Sequence, residues 1–408
     1  MERTGLQLLS CLRAYCRGES AEHIGGFDWQ ELYHLAVIHK LLPVVFDTLS
    51  RAEGFCGEDA ALAAQWKRGA RMQAAGQALR TQRMLAVAKE LNESGVPYVL
   101  VKGILCRQLY KKPDLRPSGD EDLLIPAQAK ARCREIFAGL GLVGGAENDG
   151  TVEHWRDPAS GLHIELHTAL FESDWPAGST LNDYFANALE RRICVPVEQG
   201  SVMAFSHTDH FLFLIGHALK HFITGGFGLR TLSDILMFAR VHSEDICRET
   251  VYELLETIRA RVFFEQLLYI GSAHLDFDPA GWELRSPADW EVILEDMTDA
   301  GVYGQSSLDR KHGGAMALQA IREEKDSTSV AATLFPSAKR LSGRYPWLKK
   351  APWALPAAWI HRMGRYGLSV LRSRGNDNSP REALSSGKHR TEMMKRYGIL
   401  SQAKTEDR

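Results

Sequence analysis

The sequence predicts an α+β protein: a small mixed β-sheet lies between an N-terminal helical segment and a larger C-terminal helical domain. Three observations carry this. Over residues 6–93 apolar side chains recur at three- and four-residue steps, as in Leu32, Leu35 and Ala36 or Met84, Leu85, Ala88 and Leu91. The period breaks at GVPYVLVKG, where Gly95 and Pro97 punctuate the chain and 98–101 is a short β-prone run. Helical spacing returns at Thr208 with DHFLFLIGHALKHF, pauses at the loop TGGFG, and resumes at Leu229. The division that follows is 1–93 for the N-terminal helices, 94–200 for the sheet-bearing core, 201–335 for the helical domain, and 336–408 for a basic C-terminal helical segment whose end is frayed.

Within the core, a turn and helix are expected over 104–110. The stretch KKPDLRPSGDEDLLIP then opens with Pro and Gly turn chemistry and closes in an apolar strand that Pro126 ends. A helix follows over 127–140. GLGLVGG matches G-x-G-x-x-G at Gly139, Gly141 and Gly144, but it follows a helix instead of joining a strand to one, so it reads as a helix C-cap and a turn. TVEHWRD and GLHIELHTAL form a hairpin around the turn DPASG.

Bulk properties exclude several classes. At 408 residues the chain holds two or three domains, and 45% hydrophobic with 25% charged residues is ordinary globular composition. A net charge of -2 disfavours a dedicated nucleic-acid binder. Seven cysteines without a C-x-x-C spacing point to a reducing compartment and are read as core residues. No run of about 18 apolar residues occurs, so no transmembrane segment is expected and the localisation read is cytoplasmic. No G-x-S-x-G or Walker A motif is present. The basic, Trp-containing segment 347–365, with Lys349, Lys350, His361, Arg362 and Arg365, reads as an amphipathic helix docked on the helical domain, with a membrane surface or an anionic partner as the alternative.

The chemistry is concentrated in GDED and LHIELH. Side chains alternate along a strand, so Asp120 and Asp122 share one face while Glu121 takes the other. The same rule puts His163, Glu165 and His167 together, with Leu162, Ile164 and Leu166 toward the core. Two carboxylates and a third on a neighbouring strand suit one or two Mg²⁺ ions, which take oxygen ligands and leave room for substrate phosphates. Glu165 would bind the first ion or accept a proton. Lys102 and Gly103 end the preceding strand, where a lysine can hold a triphosphate's charge and a glycine lets its phosphates approach. Arg116 offers a bidentate phosphate contact, and Ser118 and Gly119 complete the expected nucleotide-binding turn.

These segments, in this order, resemble the uncharacterised bacterial nucleotidyltransferases of the DNA polymerase β-like superfamily. The resemblance rests on VLVKGILCRQLY, LRPSGDEDLLIP and HIELHTAL, extends to HALKH and LRTLSDIL, reaches LFPSAKRLSGRYPWLKKAPWALPAAW, and spans roughly residues 95–360. The wider superfamily has Gly-Ser where this chain has Lys102-Gly103, and more often Asp where it has Glu165. The resemblance implies a nucleotidyltransferase core, Mg²⁺ or Mn²⁺ at Asp120, Asp122 and Glu165, and transfer of a nucleoside monophosphate from an NTP to an unknown acceptor.

His210, Leu214, His217 and His221 form one helical stripe. His217 and His221 could chelate Zn²⁺, but no third ligand or H-E-x-x-H glutamate accompanies them, so with His167 they are expected to line the cleft or to hydrogen-bond Asp234. Asp234 is read as a structural partner of Arg230 or a histidine. Two other functions stay open: a catalytically silent nucleotide-binding module, and a toxin-like enzyme that modifies transfer RNA, which would need a basic face around the cleft.

Overall fold

The computed structural model describes residues 3–19, 26–146, 152–172, 176–198, 200–300, 338–341, 345–361 and 380–400. The chain forms two compact units, Met1–Phe222 with Gly226–Tyr303, and Ile223–Gly225 with Gly304–Arg408. The first unit opens with four helices, α1 (Arg3–Arg17), α2 (Trp29–Ile38), α3 (Leu42–Leu49) and α4 (Ala60–Glu93). Asp28 and Asp59 cap α2 and α4 by accepting backbone N–H bonds from Glu31 and Leu62. Along α4 the buried residues Leu62, Trp66, Ala70, Gln77, Thr81, Met84, Ala88 and Leu91 trace one helical stripe.

A seven-stranded mixed sheet follows, in the order β3-β4-β5-β2-β1-β7-β6. Its strands are β1 (Val99–Val101), β2 (Glu121–Leu124), β3 (Val143–Ala146), β4 (Val152–Arg156), β5 (His163–His167), β6 (Ile193–Val197) and β7 (Gly200–Ala204). Two short helices interrupt it, α5 (Gly103–Arg107) and α6 (Lys130–Gly139), and α7 (Pro176–Phe185) precedes β6. Leu100, Leu123, Ile164, Leu166 and Val202 pack on Met84, Val87 and Leu91 of α4 and on Ile136 and Phe137 of α6, which closes one face of the sheet. The α+β architecture and the hairpin of β4 with β5 agree with the sequence reading.

Two edge strands depart from it. β3 occupies the place read as a turn after a helix C-cap. Gly141 does end α6 at φ +78°, but Val143–Ala146 then pair antiparallel with β4. Gly144 is required there, since a Cβ would meet the His154 carbonyl oxygen at 2.1 Å. The hairpin of β6 with β7 carried no strand signal, because Pro196 interrupts β6; as an edge strand it tolerates a residue without an N–H. The cysteines also differ from the expectation: Cys194 and Cys247 are exposed, while Cys11, Cys56, Cys106 and Cys133 are buried.

After the sheet come α8 (His207–Thr224), α9 (Leu229–Val241), α10 (Arg248–Thr257), α11 (Arg261–His274) and α12 (Glu291–Ala300). Their core is aromatic, built on Phe211, Phe238, Phe263, Phe264 and Trp282. In the second unit, α13 (Ala338–Leu341) and two 3-10 turns, Pro346–Lys349 and Pro352–Ala354, gather Leu341, Leu348 and Ala358 with Tyr345, Leu355 and Trp359; α14 (Pro380–Arg396) follows. Arg362, Arg365 and the tail expected to fray, from 401 on, lie outside the described residues. No helix among the described residues is long and apolar enough to cross a membrane.

Candidate active site

The face of the sheet turned away from α4 and α6 carries the acids. β2 and β5 are adjacent and parallel with Asp122 opposite Glu165, so both side chains leave the same face side by side. The same row continues to Val101 in β1 and to His154 in β4. Asp120 lies immediately before β2 and lines the same cavity as Asp122 and Glu165. The ligand atoms of Asp122, Glu165 and His167 lie within 4.8 Å of one another. His167 Nε2 is 3.2 Å from Asp122 Oδ1 and 3.5 Å from Glu165 Oε2, so this histidine lines the cavity between the two acids.

Glu121, between the two aspartates, points the other way and builds the loop beside them. Its carboxylate accepts from Ile104 N–H (2.8 Å) and from the fully buried Arg107 Nη1 (2.6 Å). A Cβ on Gly103, itself at φ +30°, would lie 1.8 Å from Glu121 Oε2. Gly103 is therefore a glycine because of Glu121, a reason different from the phosphate approach expected of it. Lys102 is held at φ +55°, ψ −123°, a conformation that costs a side-chain-bearing residue about 1–3 kcal/mol. Its N–H donates to His210 Nε2 (3.0 Å), which fixes the loop on α8. Its ammonium reaches Asp122 Oδ2 at 2.8 Å and His217 Nε2 at 2.9 Å.

The remaining expected phosphate contacts are used differently. Arg116 forms a buried bidentate pair with Asp234 through Nε (2.8 Å) and Nη2 (2.5 Å), and Tyr110 Oη donates to the same carboxylate at 3.0 Å. Asp234 is thus a structural acid, but its cation is Arg116; Arg230 instead donates to the Pro117 carbonyl oxygen at 2.5 Å. Ser118 N–H donates to Gln77 Oε1 of α4 at 2.8 Å and Ser118 Oγ to the Asp120 carbonyl oxygen at 3.2 Å. Gly119 is exposed and does not line the cavity. The shared cause is desolvation: a charged or polar group this deep needs a fixed partner. Neither Glu121 nor Gln77 was singled out from the sequence. For Glu121 the signal was there, since strand alternation already sent its charge into the protein.

The cavity measures about 210 Å³ and is lined by the acids, by Lys102, Gly103, Arg116 and Ser118, and on the helical side by Phe213, His217, Lys220, His221, Arg230 and Asp234. His217 and His221 face each other, Nε2 to Nε2 at 3.2 Å, and belong to no three-ligand group among the described residues. Burial alone would raise the Asp122 carboxyl, but Lys102 and His167 outweigh it and hold Asp122 well below the carboxylate range. Burial raises Asp120; Lys102 opposes that rise and the neighbouring Asp122 and Glu165 reinforce it. The hydrogen bond from His167 lowers Glu165 against burial. Burial would lower Lys102, yet Asp122 and Asp120 keep it above its ordinary value.

No curated protein and no solved structure matches the chain. The family model described as "Uncharacterised nucleotidyltransferase" matches residues 25–276, more than half of the sequence, and takes in every acid, lysine and histidine of the cavity. The chain belongs to this family of uncharacterised nucleotidyltransferases.

Proposed function

We propose that the protein is a Mg²⁺- or Mn²⁺-dependent nucleotidyltransferase of the DNA polymerase β-like kind, which moves a nucleoside monophosphate from an NTP to an acceptor hydroxyl, phosphate or amine and releases pyrophosphate. The observation that carries this reading is the pairing of Asp122 with Glu165 on adjacent parallel strands, with Asp120 in the same cavity. The donor set suits a hard cation. It is rich in oxygen, and the buried Asp122 carboxylate already faces a cation, the Lys102 ammonium 2.8 Å from Oδ2. Asp120, Asp122 and Glu165 would hold the ion. The chemistry supplied by a divalent ion there is activation of the attacking hydroxyl and neutralisation of the leaving pyrophosphate.

The chain's own residues set the rest. Glu165, kept ionised by His167, can ligate or accept the acceptor's proton. Lys102 and Arg230 put positive charge on the cavity wall, where a triphosphate would be oriented. Pockets that enclose a whole ligand run to about 300–1,000 Å³. A cavity of about 210 Å³ therefore fits the phosphates and leaves the base at the mouth.

The test is a pair of measurements. Triphosphate should raise the melting temperature only with Mg²⁺ or Mn²⁺ present, and equal stabilisation in chelator would remove the metal from the proposal. Incubation with each labelled triphosphate and a cell extract should then label an acceptor. Binding without transfer from any triphosphate would leave a nucleotide-binding module.

A further inference from the structure

Outside the cavity, the start of α8 meets the end of α9. His207 opens α8, His242 is the C-cap of α9, and Asp245 follows in a turn whose N–H donates to the His242 carbonyl oxygen at 3.0 Å. The two imidazoles stack with centroids 4.0 Å apart and planes 17° apart. Both turn Nδ1 toward one oxygen, Asp245 Oδ2, at 3.3 Å from His207 and 3.6 Å from His242. The three ligand atoms lie within 4.8 Å of one another.

These separations are long for N–H···O hydrogen bonds, which cluster at about 2.7–3.2 Å. They are close to a tetrahedral coordination edge, since bonds of about 2.0–2.1 Å put neighbouring ligand atoms roughly 3.3–3.4 Å apart; because the two rings are stacked with their in-plane lone pairs nearly parallel, the imidazoles would turn out of the stack to aim both Nδ1 atoms at one ion. We propose that His207, His242 and Asp245 bind one borderline divalent ion, Zn²⁺ by ligand type, with water in the fourth position. Two imidazoles and one carboxylate favour Zn²⁺ over Mg²⁺, which prefers oxygen throughout.

The site has a mechanical consequence. Bound metal would clamp the first turn of α8 to the last turn of α9. His242 packs on Phe238 at 4.5 Å and Phe238 on His210 at 4.9 Å, the residue that holds the Lys102 N–H. The clamp therefore bears on the loop that carries Lys102. The inference does not depend on the reaction assigned to the cavity.

The experiment uses the full chain, stripped with chelator and returned to excess Mg²⁺ so that oxygen sites are filled. Zn²⁺ titrated by calorimetry should bind with one equivalent that is lost in His207→Ala and in Asp245→Asn, and kept in His154→Ala. Co²⁺ should give the visible absorption of a tetrahedral nitrogen-ligated ion in the parent and not in these two variants, and Zn²⁺ should raise the parent's melting temperature alone. Asp245 is largely exposed, so its amide variant is expected to fold even if an alanine at His207 is not tolerated. No Zn²⁺ bound by the parent, or an equal stoichiometry in Asp245→Asn and the parent, would overturn the proposal. Loss of the equivalent in His154→Ala alone would do the same, since the ion would then sit beside Glu165. Failure here leaves the triphosphate experiments untouched, and their failure leaves this one standing.

Discussion

The two walls of the cavity treat the same side chain in opposite ways. On the sheet wall His167 stands between Asp122 and Glu165; burial would push it down, but the two carboxylates lift it to about 9, so it is cationic at neutral pH. On the helical wall burial is the largest influence on every histidine and nothing outweighs it. His210 and His221 fall to about 3 and His217 lies well below its ordinary value, with Lys102 adding to the fall of His217 and His221. The sheet wall is an acid cluster balanced by buried cations, whereas on the helical wall the histidines are neutral and the charges are those of Lys220, Arg230 and the Arg116-paired Asp234. The acids proposed to hold the ion therefore belong to the sheet, and the helices position them. Lys102 joins the two, paired with Asp122 on one side and with His217 on the other.

The largest effect expected from this contrast lies away from the acids. Arg116→Ala should cost about 3–5 kcal/mol of stability, because it strands the buried Asp234 carboxylate. Urea denaturation measures this directly. If Arg116 instead grips phosphate, the variant would keep its denaturation midpoint and lose only triphosphate affinity. That outcome would break the division between a positioning wall and a chemical one.

Asp122→Asn should slow nucleotide transfer by about 10²-fold or more, a barrier increase of roughly 2.7 kcal/mol, by removing one charge from the proposed ion site. Carboxylate repulsion alone would predict no loss of stability. The structure adds a cost, since Lys102 and His167 lose their shared partner, and the metal-free variant should melt below the parent. Transfer at the parental rate, measured by pyrophosphate release, would make Asp122 a structural acid only.

How much of this was legible in the sequence differs between the walls for the same physical reason. Strand alternation has a period of two, so Asp122, Glu165 and His167 could be put on one face from their spacing, and β2 beside β5 brings them together. Helical period likewise put His210, His217 and His221 on one stripe. Their partners were not legible, because no local rule tells which distant group a buried side chain meets. Arg116 finds Asp234 118 residues away, and Lys102 finds His217 115 residues away. Strands built from glycine or broken by proline, β3 and β6, were missed because edge pairing needs little side-chain propensity.

Burial also neutralises a histidine outside the cavity, and acid tests it. His39, at the end of α2, sits with its Nε2 3.1 Å from the Thr298 carbonyl oxygen and its Nδ1 3.3 Å from Leu229 N–H, the first residue of α9. One ring nitrogen must donate and the other accept, which only the neutral ring allows. Burial lowers this group from 6.5 to about 4, with the Thr298 bond opposing. Since the folded value lies below the unfolded one, the unfolded chain binds the extra proton between them. Stability is then present above about pH 6.5 and is lost as pH falls toward about 4. Melting curves across that window should show the loss, and His39→Gln should be less stable at pH 7 but show a shallower acid limb. An unchanged limb would mean that other groups govern it.

The smallest effect separates two acids that look equivalent in the sequence. Asp122 is held ionised by direct contact with Lys102 and His167, whereas Asp120 is raised by burial and by repulsion from Asp122 and Glu165, with Lys102 only opposing. A carboxylate whose folded value is raised is destabilising when ionised, and the fold gains as pH falls through that value. Asp120→Asn keeps the size and removes the charge, so the metal-free protein should become more stable at pH 7 by roughly 0.5–1 kcal/mol. A bound divalent cation relieves the same repulsion. Mg²⁺ should therefore raise the melting temperature of the parent more than that of Asp120→Asn, and in saturating Mg²⁺ the variant's advantage should vanish or reverse. Paired melts with and without Mg²⁺ measure this. If Asp120→Asn destabilises the metal-free protein as Asp122→Asn does, Asp120 has a cationic partner of its own, and the sheet wall holds two balanced acids where the contrast requires one balanced and one strained.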